Sequence, residues 1–260
     1  MSFVIVFLLG AIVGSFLNVC IFRLPEGESV VFPASHCRFC RKPISWADNI
    51  PVISFLLLKG KCRQCGQKIS WQYFWVELFT AGLAVLFYFH FGLNPRGVVY
   101  FVLALALLVE TVIDWRLQII PDAITLPGIL LGLLASFFFP ALHGQTSGFG
   151  SLFWSLAGML AGGGILYLSG TLAEWVLKKE AMGGGDVKLL AMIGSVIGWQ
   201  GVLWVVFVSS FLGSAVGLAL RFSRGDERIP FGPYLAAAAT LYLFFGTQTI
   251  QAYARFIGGT

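Results

Sequence analysis

Charge is the scarcest commodity in this sequence. Only 11% of its 260 residues are Asp, Glu, Lys or Arg, and 58% are hydrophobic. A water-soluble domain is about 25% charged and about 45–50% apolar. The deficit excludes a soluble core and calls for a lipid-facing surface. Basic residues are absent before Arg23, and no small-x-small site precedes a polar segment, so the start reads as a retained membrane helix instead of a cleaved signal peptide. Histidine is also rare. His36, His90 and His143 are scattered, and no Ser/His or Cys/His arrangement for nucleophilic catalysis emerges. A Rossmann-type Gly-rich nucleotide fingerprint is missing as well.

Apolar stretches are abundant. A spanning helix needs about 20 mostly apolar residues, and candidate spans fall at 2–22, 74–93, 97–113, 122–140, 151–176, 187–199, 201–221 and 232–254. The expected fold is all-α: a polytopic transmembrane helical bundle of about eight spans with a small zinc-ribbon-like loop domain. Its expected parts are a first transmembrane helix at 1–22, a four-cysteine loop at 23–73 and a bundle at 74–260. The sixth stretch is short and contains Gly194 and Gly198; short or broken helices are tolerated where they line a cavity.

Net charge is +5. In a membrane chain this reflects basic inside loops and not nucleic-acid binding. Of the seventeen Lys and Arg, fifteen fall in or at the edges of 23–73, 114–121, 177–188 and 222–231, and the other side keeps Arg96 and Arg255. The bias places both termini outside and the cysteine loop in the cytoplasm. Trp46, Trp71 and Trp75 around that loop read as interface anchors.

The loop carries a short internal duplication. CRFCRKPISW, from Cys37, is echoed by CRQCGQKISW, from Cys62. Cys37 and Cys40 form one Cys-x-x-Cys and Cys62 and Cys65 a second, with twenty-one residues between the pairs. That is one more than the usual zinc-ribbon window of about 15–20. Two such knuckles offer four thiolates to a tetrahedral Zn²⁺ with no open position, hence a structural site. Two disulfides are the competing reading; a cytoplasmic loop argues against them. Cys20, near the end of the first span, reads as a buried small apolar residue.

The acidic residues at or inside spans are Glu77, Glu110, Asp114, Asp122, Glu174 and Asp186. A carboxylate at membrane depth is a functional hypothesis by default. Asp114 ends the third span; Asp122 follows Pro121 in a helix-cap context. Asp186 follows Gly183, Gly184 and Gly185, a run that lets backbone approach a neighbour such as a peptide substrate closely. The expected topology puts Asp114 and Asp186 at the same cytoplasmic depth. Facing carboxylates cannot both ionise cheaply, so such a pair shares a proton, and can act as base toward a water and acid toward a scissile amide. Two helix caps, or acidic groups on an ion pathway, remain alternatives. Inverted span repeats typical of transporters are not seen, and a scaffold that binds a partner through its metal loop stays open.

Five stretches resemble the type IV prepilin peptidases, a family of membrane aspartyl peptidases: GSFLNVCIFRLP (Gly14–Pro25), the twin Cys-x-x-Cys loop, IDWRLQIIPD (Ile113–Asp122), the G-x-G-D of MGGGDVKL (Gly183–Asp186) and PFGPYLA (Pro230–Ala236). The resemblance runs almost end to end in motif order. It implies a bifunctional enzyme of the bacterial inner membrane. Such enzymes cut the basic leader from type IV prepilins or type II secretion pseudopilins at the cytoplasmic face, after a Gly. They then methylate the new N-terminal residue with S-adenosylmethionine. Carried over by motif, Asp114 and Asp186 are the catalytic pair. Asp122, Gly183 and Gly185 support it or the substrate, and Cys37, Cys40, Cys62 and Cys65 hold Zn²⁺. Implied partners are the prepilins, the bilayer and pilus or secretion machinery. Asp122, Glu174 and Glu180 are candidates to attract the leader, with Lys178 and Lys179 opposing them. The residues that bind the methyl donor are not indicated. Glu77 is one candidate, against the plainer reading of an interhelical hydrogen bond.

Overall fold

The computed structural model describes residues 2–178, 183–224 and 230–258. Helices dominate, and among these residues the only β features are two isolated bridges, His36 with Pro43 and Lys61 with Lys68. The chain divides into two compact units, Met1–Gly97 and Val98–Thr260.

The first unit pairs α1 (Phe3–Arg23) with α3 (Trp71–Phe91), the short α2 (Ile53–Leu57) lying between them in sequence. Ser2 caps α1, its hydroxyl accepting from the Val4 N–H at 3.4 Å, and Ser70 caps α3 through the Gln72 N–H at 3.2 Å. The two long helices approach closely because α1 presents small residues. A Cβ on Gly14 would stand 2.8 Å from the Glu77 Cα. Such contacts let apolar helices associate without a hydrophobic driving force. A buried amide adds a directional tie: Asn18 Nδ2 donates to the Tyr73 carbonyl at 3.2 Å.

The second unit is built from α4 (Pro95–Leu117), α5 (Asp122–Phe138), α6 (Gly148–Leu177), α7 (Gly184–Arg224) and α8 (Gly232–Gly258). Helix α7 is the hub, packing on α5, α6 and α8. Gly158 of α6 and Gly194 of α7 meet back to back; a Cβ on either would overlap the other's carbonyl oxygen. At Gly198 the α7 backbone leaves helical geometry, with φ 75° and ψ 172°. Such a break frees carbonyls from the intrahelical ladder, and in a bundle neighbouring side chains must satisfy them. Ser155 of α6 donates its hydroxyl to the Ser195 carbonyl. Ser136 of α5 places its Oγ 3.3 Å from the same carbonyl and 3.1 Å from His143 Nε2.

Five helices among the described residues are long and apolar enough to cross a membrane: Phe3–Glu26, Trp71–Phe91, Pro95–Leu117, Gly148–Val176 and Gly184–Ala219. This differs from the expected eight or so. The stretches 187–199 and 201–221 belong to one helix interrupted at Gly198. Helix α5, with 17 residues, is shorter than a full span. Helix α8 is not among the five; Gln248 and Gln251 dilute its apolar character.

Candidate active site and metal centre

Asp114 sits in the last turn of α4. The helix stops at Gln118, whose φ of 54° lies in the left-handed region, and its N–H closes on the Asp114 carbonyl at 2.9 Å. The chain then runs through Ile119 and Ile120 to Pro121, which precedes α5. The Asp114 side chain is buried, 5% exposed. Its Oδ2 accepts from the backbone N–H of Gly232 at 3.1 Å, a free donor of the first turn of α8 that favours negative charge. A Cβ on Gly232 would lie 2.6 Å from that same Oδ2, so any other residue would push the carboxyl group aside.

Asp186 lies in the first turn of α7, its N–H donating to the Gly183 carbonyl at 3.2 Å. Its Oδ1 is buried and has no hydrogen-bond donor among the described residues. Gly185, just before it, packs on Ile120; a Cβ there would stand 2.9 Å from the Ile120 Cβ. Ile120 Cδ1 also lies 3.4 Å from the position a Gly232 Cβ would take. One isoleucine therefore touches the starts of both α7 and α8, and Asp114 touches the second. An electrostatic interaction couples the Asp114 and Asp186 side chains.

The other sequence candidates separate from this pair. Asp122 does not cap α5; Pro121 holds the cap position and Asp122 falls in the first turn. Its carboxylate pairs with Lys188 of α7, with Nζ at 2.7 and 2.8 Å from the two oxygens, and both side chains are exposed. Gly183 is exposed beside Asp186. Glu174 is exposed, near the end of α6. Glu180 and Lys179, candidate leader-contacting residues, Met182 of the glycine motif, and Arg228 of the inside loops lie outside the described residues. Sequence reasoning missed three participants: Gly232 as a donor, Ile120 as a spacer and Lys188 as the partner of Asp122. All three sit inside motifs quoted above, but a backbone N–H, an apolar contact and a surface ion pair carry no local signature.

In the first unit the duplicated sequence makes duplicated structure. The Cys37 N–H donates to the Lys42 carbonyl at 2.9 Å, and the Cys62 N–H to the Gln67 carbonyl at 2.8 Å. Each knuckle closes through a residue with positive φ just after its second cysteine, Arg41 at 56° and Gly66 at 70°. Glycine takes this conformation without strain; arginine tolerates it at a cost.

All four cysteines are free, and their Sγ atoms lie within 4.8 Å of one another. Cys37 and Cys65 Sγ are 3.8 Å apart. Four sulfurs at about 2.3 Å around a tetrahedral Zn²⁺ are about 3.8 Å from each other, so the donor set and its spacing fit that ion. The Cys65 and Gln64 backbone N–H groups pull the Cys62 thiol down to about 7. Cys65 receives a lowering bond from Gln67, yet burial and the neighbouring sulfurs push it up to about 11. Crowded thiolates repel, and a divalent cation removes that conflict. Arg63 braces the second knuckle through a forked pair to Asp48, with Nε at 2.9 Å from both oxygens and Nη2 at 2.8 Å from Oδ1. That guanidinium holds the Asp48 carboxyl below its ordinary range.

Glu77 is 6% exposed on α3. Its Oε2 accepts from the Val52 N–H at 2.7 Å, and the Ser15 hydroxyl of α1 also bonds to it. The interhelical reading of this carboxylate therefore describes its surroundings, with a tie to the loop added. Val52 has φ 63° and ψ −51°, a costly conformation for a β-branched residue.

Comparison with known proteins yields two family matches: residues 8–91 match the bacterial Peptidase A24 N-terminal domain, and residues 101–218 match the type IV leader peptidase family. The chain is 37% identical to a protein of Pseudomonas aeruginosa named prepilin leader peptidase/N-methyltransferase. It is 35% identical to one of the same name from Xanthomonas campestris pv. campestris and 34% to one from Pseudomonas putida. Each match covers 96% of this chain and 93% of the relative. No solved structure matches.

Proposed function

The chain belongs to the type IV leader peptidase family, and from that premise we propose that Asp114 and Asp186 cut the leader from a prepilin at the inner membrane face. The protein is a multi-pass inner-membrane enzyme, a prepilin leader peptidase and N-methyltransferase. The proposal extends this to residues, cofactors and orientation.

One observation carries the assignment of the pair. Asp114 and Asp186 come from different helices, are 72 positions apart in sequence, and interact electrostatically beside a shared isoleucine. Two carboxylates in one low-dielectric site hold one proton between them. The ionised member takes a proton from water, whose oxygen attacks the scissile carbonyl carbon. The protonated member gives its proton to the amide nitrogen as the C–N bond breaks. The basic leader remains in the cytoplasm while the apolar helix that follows it lies in the bilayer, which sets the scissile bond at the depth of α4's end and α7's start. Gly183 leaves room for backbone beside Asp186, Gly185 lets the start of α7 close on Ile120, and Asp122, tied to Lys188, braces α5 against α7.

Functionally, the chain is a first helix (1–22), a cytoplasmic metal loop (23–73) and a stretch of further membrane helices (74–260), of which α3 belongs with α1 and α4 to α8 form the peptidase bundle. Cys37, Cys40, Cys62 and Cys65 would hold Zn²⁺, which would supply most of the folding energy of a loop with little apolar core. S-adenosylmethionine supplies the methyl group for the new N-terminus. The substrates are prepilins or pseudopilins delivered to pilus or type II secretion machinery. Mass spectrometry of a prepilin co-expressed with the protein tests the reading. Loss of the leader and a gain of one methyl group are expected together, and an intact leader overturns it.

A further inference from the structure

One exposed ion pair lies beside the catalytic turns. Asp122, in the first turn of α5, accepts the Lys188 ammonium on both carboxylate oxygens, at 2.7 and 2.8 Å. Two short, charge-assisted bonds to a single Nζ make the carboxylate a cradle for a primary ammonium. The Asp122 side chain is 54% exposed and that of Lys188 41%. Both ends of the contact are therefore open to an incoming group.

The pair sits at the same end of the second unit as Asp114 and Asp186. Lys188 stands two residues after Asp186 on α7, and Asp122 two residues after Ile120. Ile120 is the side chain on which Gly185 closes, and its Cδ1 lies 3.4 Å from the position of a Gly232 Cβ, beside Asp114 Oδ2. Among the described residues of this unit, the other exposed acid is Glu174. It is further off. Helix α6 meets the start of α7 at Gly163, where a Cβ would stand 3.9 Å from the Val187 carbonyl oxygen. Glu174 lies eleven residues beyond Gly163, about 16 Å along the helix.

Helix packing does not depend on this pair. A Cβ on Gly128 of α5 would strike Met192 of α7, and one on Gly132 would strike Ser195, so the two helices are already held together by small residues. An exposed lysine–carboxylate contact shifts an equilibrium by no more than about fivefold, and a released ammonium is well hydrated. The pair can open at little cost, without parting α5 from α7. Lys188 carries the same charged group as a lysine of the basic leader that this enzyme removes.

We propose that Asp122 is a specificity-determining residue for the basic leader: Lys188 occupies its carboxylate in the free enzyme, and a lysine or arginine of the leader takes that place when the substrate binds. This rests on the assignment of Asp114 and Asp186 above and names the contact that reads the leader's charge beside them. Asp122 takes no part in the bond-breaking steps, so its effect falls on KM and leaves kcat nearly alone.

The test measures initial rates for the parent chain, Lys188→Met, Asp122→Asn and Asp114→Asn, each purified in full length, with thermal unfolding followed in the same detergent. Two prepilins serve as substrates, one with its native leader and one with the leader's basic residues replaced by Gln. With the native leader, Lys188→Met should lower KM by about two- to fivefold, because the competing ammonium is gone. Asp122→Asn should raise KM by about threefold or more, with kcat within about twofold in both variants. Replacing the leader's charges should raise KM for the parent and change it much less for Asp122→Asn, the coupling expected of groups in contact. An equal rise in the parent and in Asp122→Asn overturns the proposal. So does a raised or unchanged KM in Lys188→Met; with a lower unfolding temperature, that result would mark the pair as a structural tie alone. If Asp114→Asn cleaves normally, the catalytic pair is wrong and this inference falls with it. If Asp114→Asn is inactive while Lys188→Met and Asp122→Asn match the parent on both substrates, only the inference falls.

Discussion

The Oδ2 atom of Asp114 accepts a hydrogen bond from the backbone N–H of Gly232, 118 residues further along the chain. A helix N-terminus thus meets a carboxylate at the end of another helix, the arrangement in which orphan N–H groups and helix polarity act together on an anion. The absence of a Cβ at residue 232 is what permits the approach.

Gly232→Ala should therefore damage cleavage selectively. The new Cβ would fall 2.6 Å from Asp114 Oδ2 and 3.4 Å from Ile120 Cδ1, so the carboxyl group must turn away. A displacement of about 1 Å at a reacting group can cost on the order of 100-fold in rate. Initial rates on a prepilin should show that loss, with methylation of an already cleaved pilin retained.

Asp114→Asn and Asp186→Asn should each abolish leader removal while the protein still inserts in the membrane. Asp122→Asn should reduce it far less. The Asp122–Lys188 pair is exposed, and such pairs contribute about 0–1 kcal/mol. Immunoblots of co-expressed prepilin, read beside membrane fractionation, separate the two classes. Equal loss in all three variants would contradict the assignment.

The cysteine cluster should carry one zinc per chain by elemental analysis, and Cys37→Ser or Cys62→Ser should lower that figure and destabilise the loop. Methylation is expected to suffer more than cleavage, since the carboxylate pair lies on other helices.

Acid should displace the metal. Zn²⁺ binds thiolates, so protons compete with it and affinity falls as pH falls. Cys62, pulled down to about 7, is half ionised near neutrality without metal, whereas Cys65, pushed up to about 11, is protonated there. Binding at neutral pH must therefore release protons, and chelator-driven metal loss should speed up as pH drops from about 8 to about 6. A rate independent of pH across that interval would argue against thiolate ligation.

Gly198→Ala should lower thermal stability. Its φ of 75° with ψ 172° is an essentially glycine-only conformation that costs an L-residue about 1–3 kcal/mol, and the His143 ring lies 3.3 Å from where a Cβ would sit. Ser155→Ala should add to this by removing one of the two hydroxyl donors to the Ser195 carbonyl while Ser136 remains, a loss of about 0.5–1.5 kcal/mol. Unfolding in detergent, followed by intrinsic fluorescence, reads both.

The site was legible in the sequence to the extent that its residues carry local signs. Asp114 and Asp186 could be singled out because acids at span ends are rare, and the four cysteines because their spacing is periodic. Asp122 was correctly placed at a helix start, but Pro121 occupies the cap position, with no side-chain cap bond, a difference of one residue that spacing cannot resolve. Glu77 was visible as an intramembrane acid. That the Val52 N–H would be its partner was not, because that bond joins a strained loop residue to a helix 25 positions away.

Composition and short-range spacing alone determined that this is a helical membrane protein, that it carries a four-thiolate knuckle pair, and which two acids to suspect. These are local properties: hydropathy sums along the chain, and a Cys-x-x-Cys turn closes within a few residues. Tertiary structure decided that α7 runs as one helix broken at Gly198, that Ser136 and Ser155 attend the Ser195 carbonyl, that Gly232 holds Asp114, and that Lys188 meets Asp122. Each of these depends on which distant backbone or side chain arrives beside a given group. Backbone N–H groups are alike at nearly every position, so their partners become known only when the helices pack.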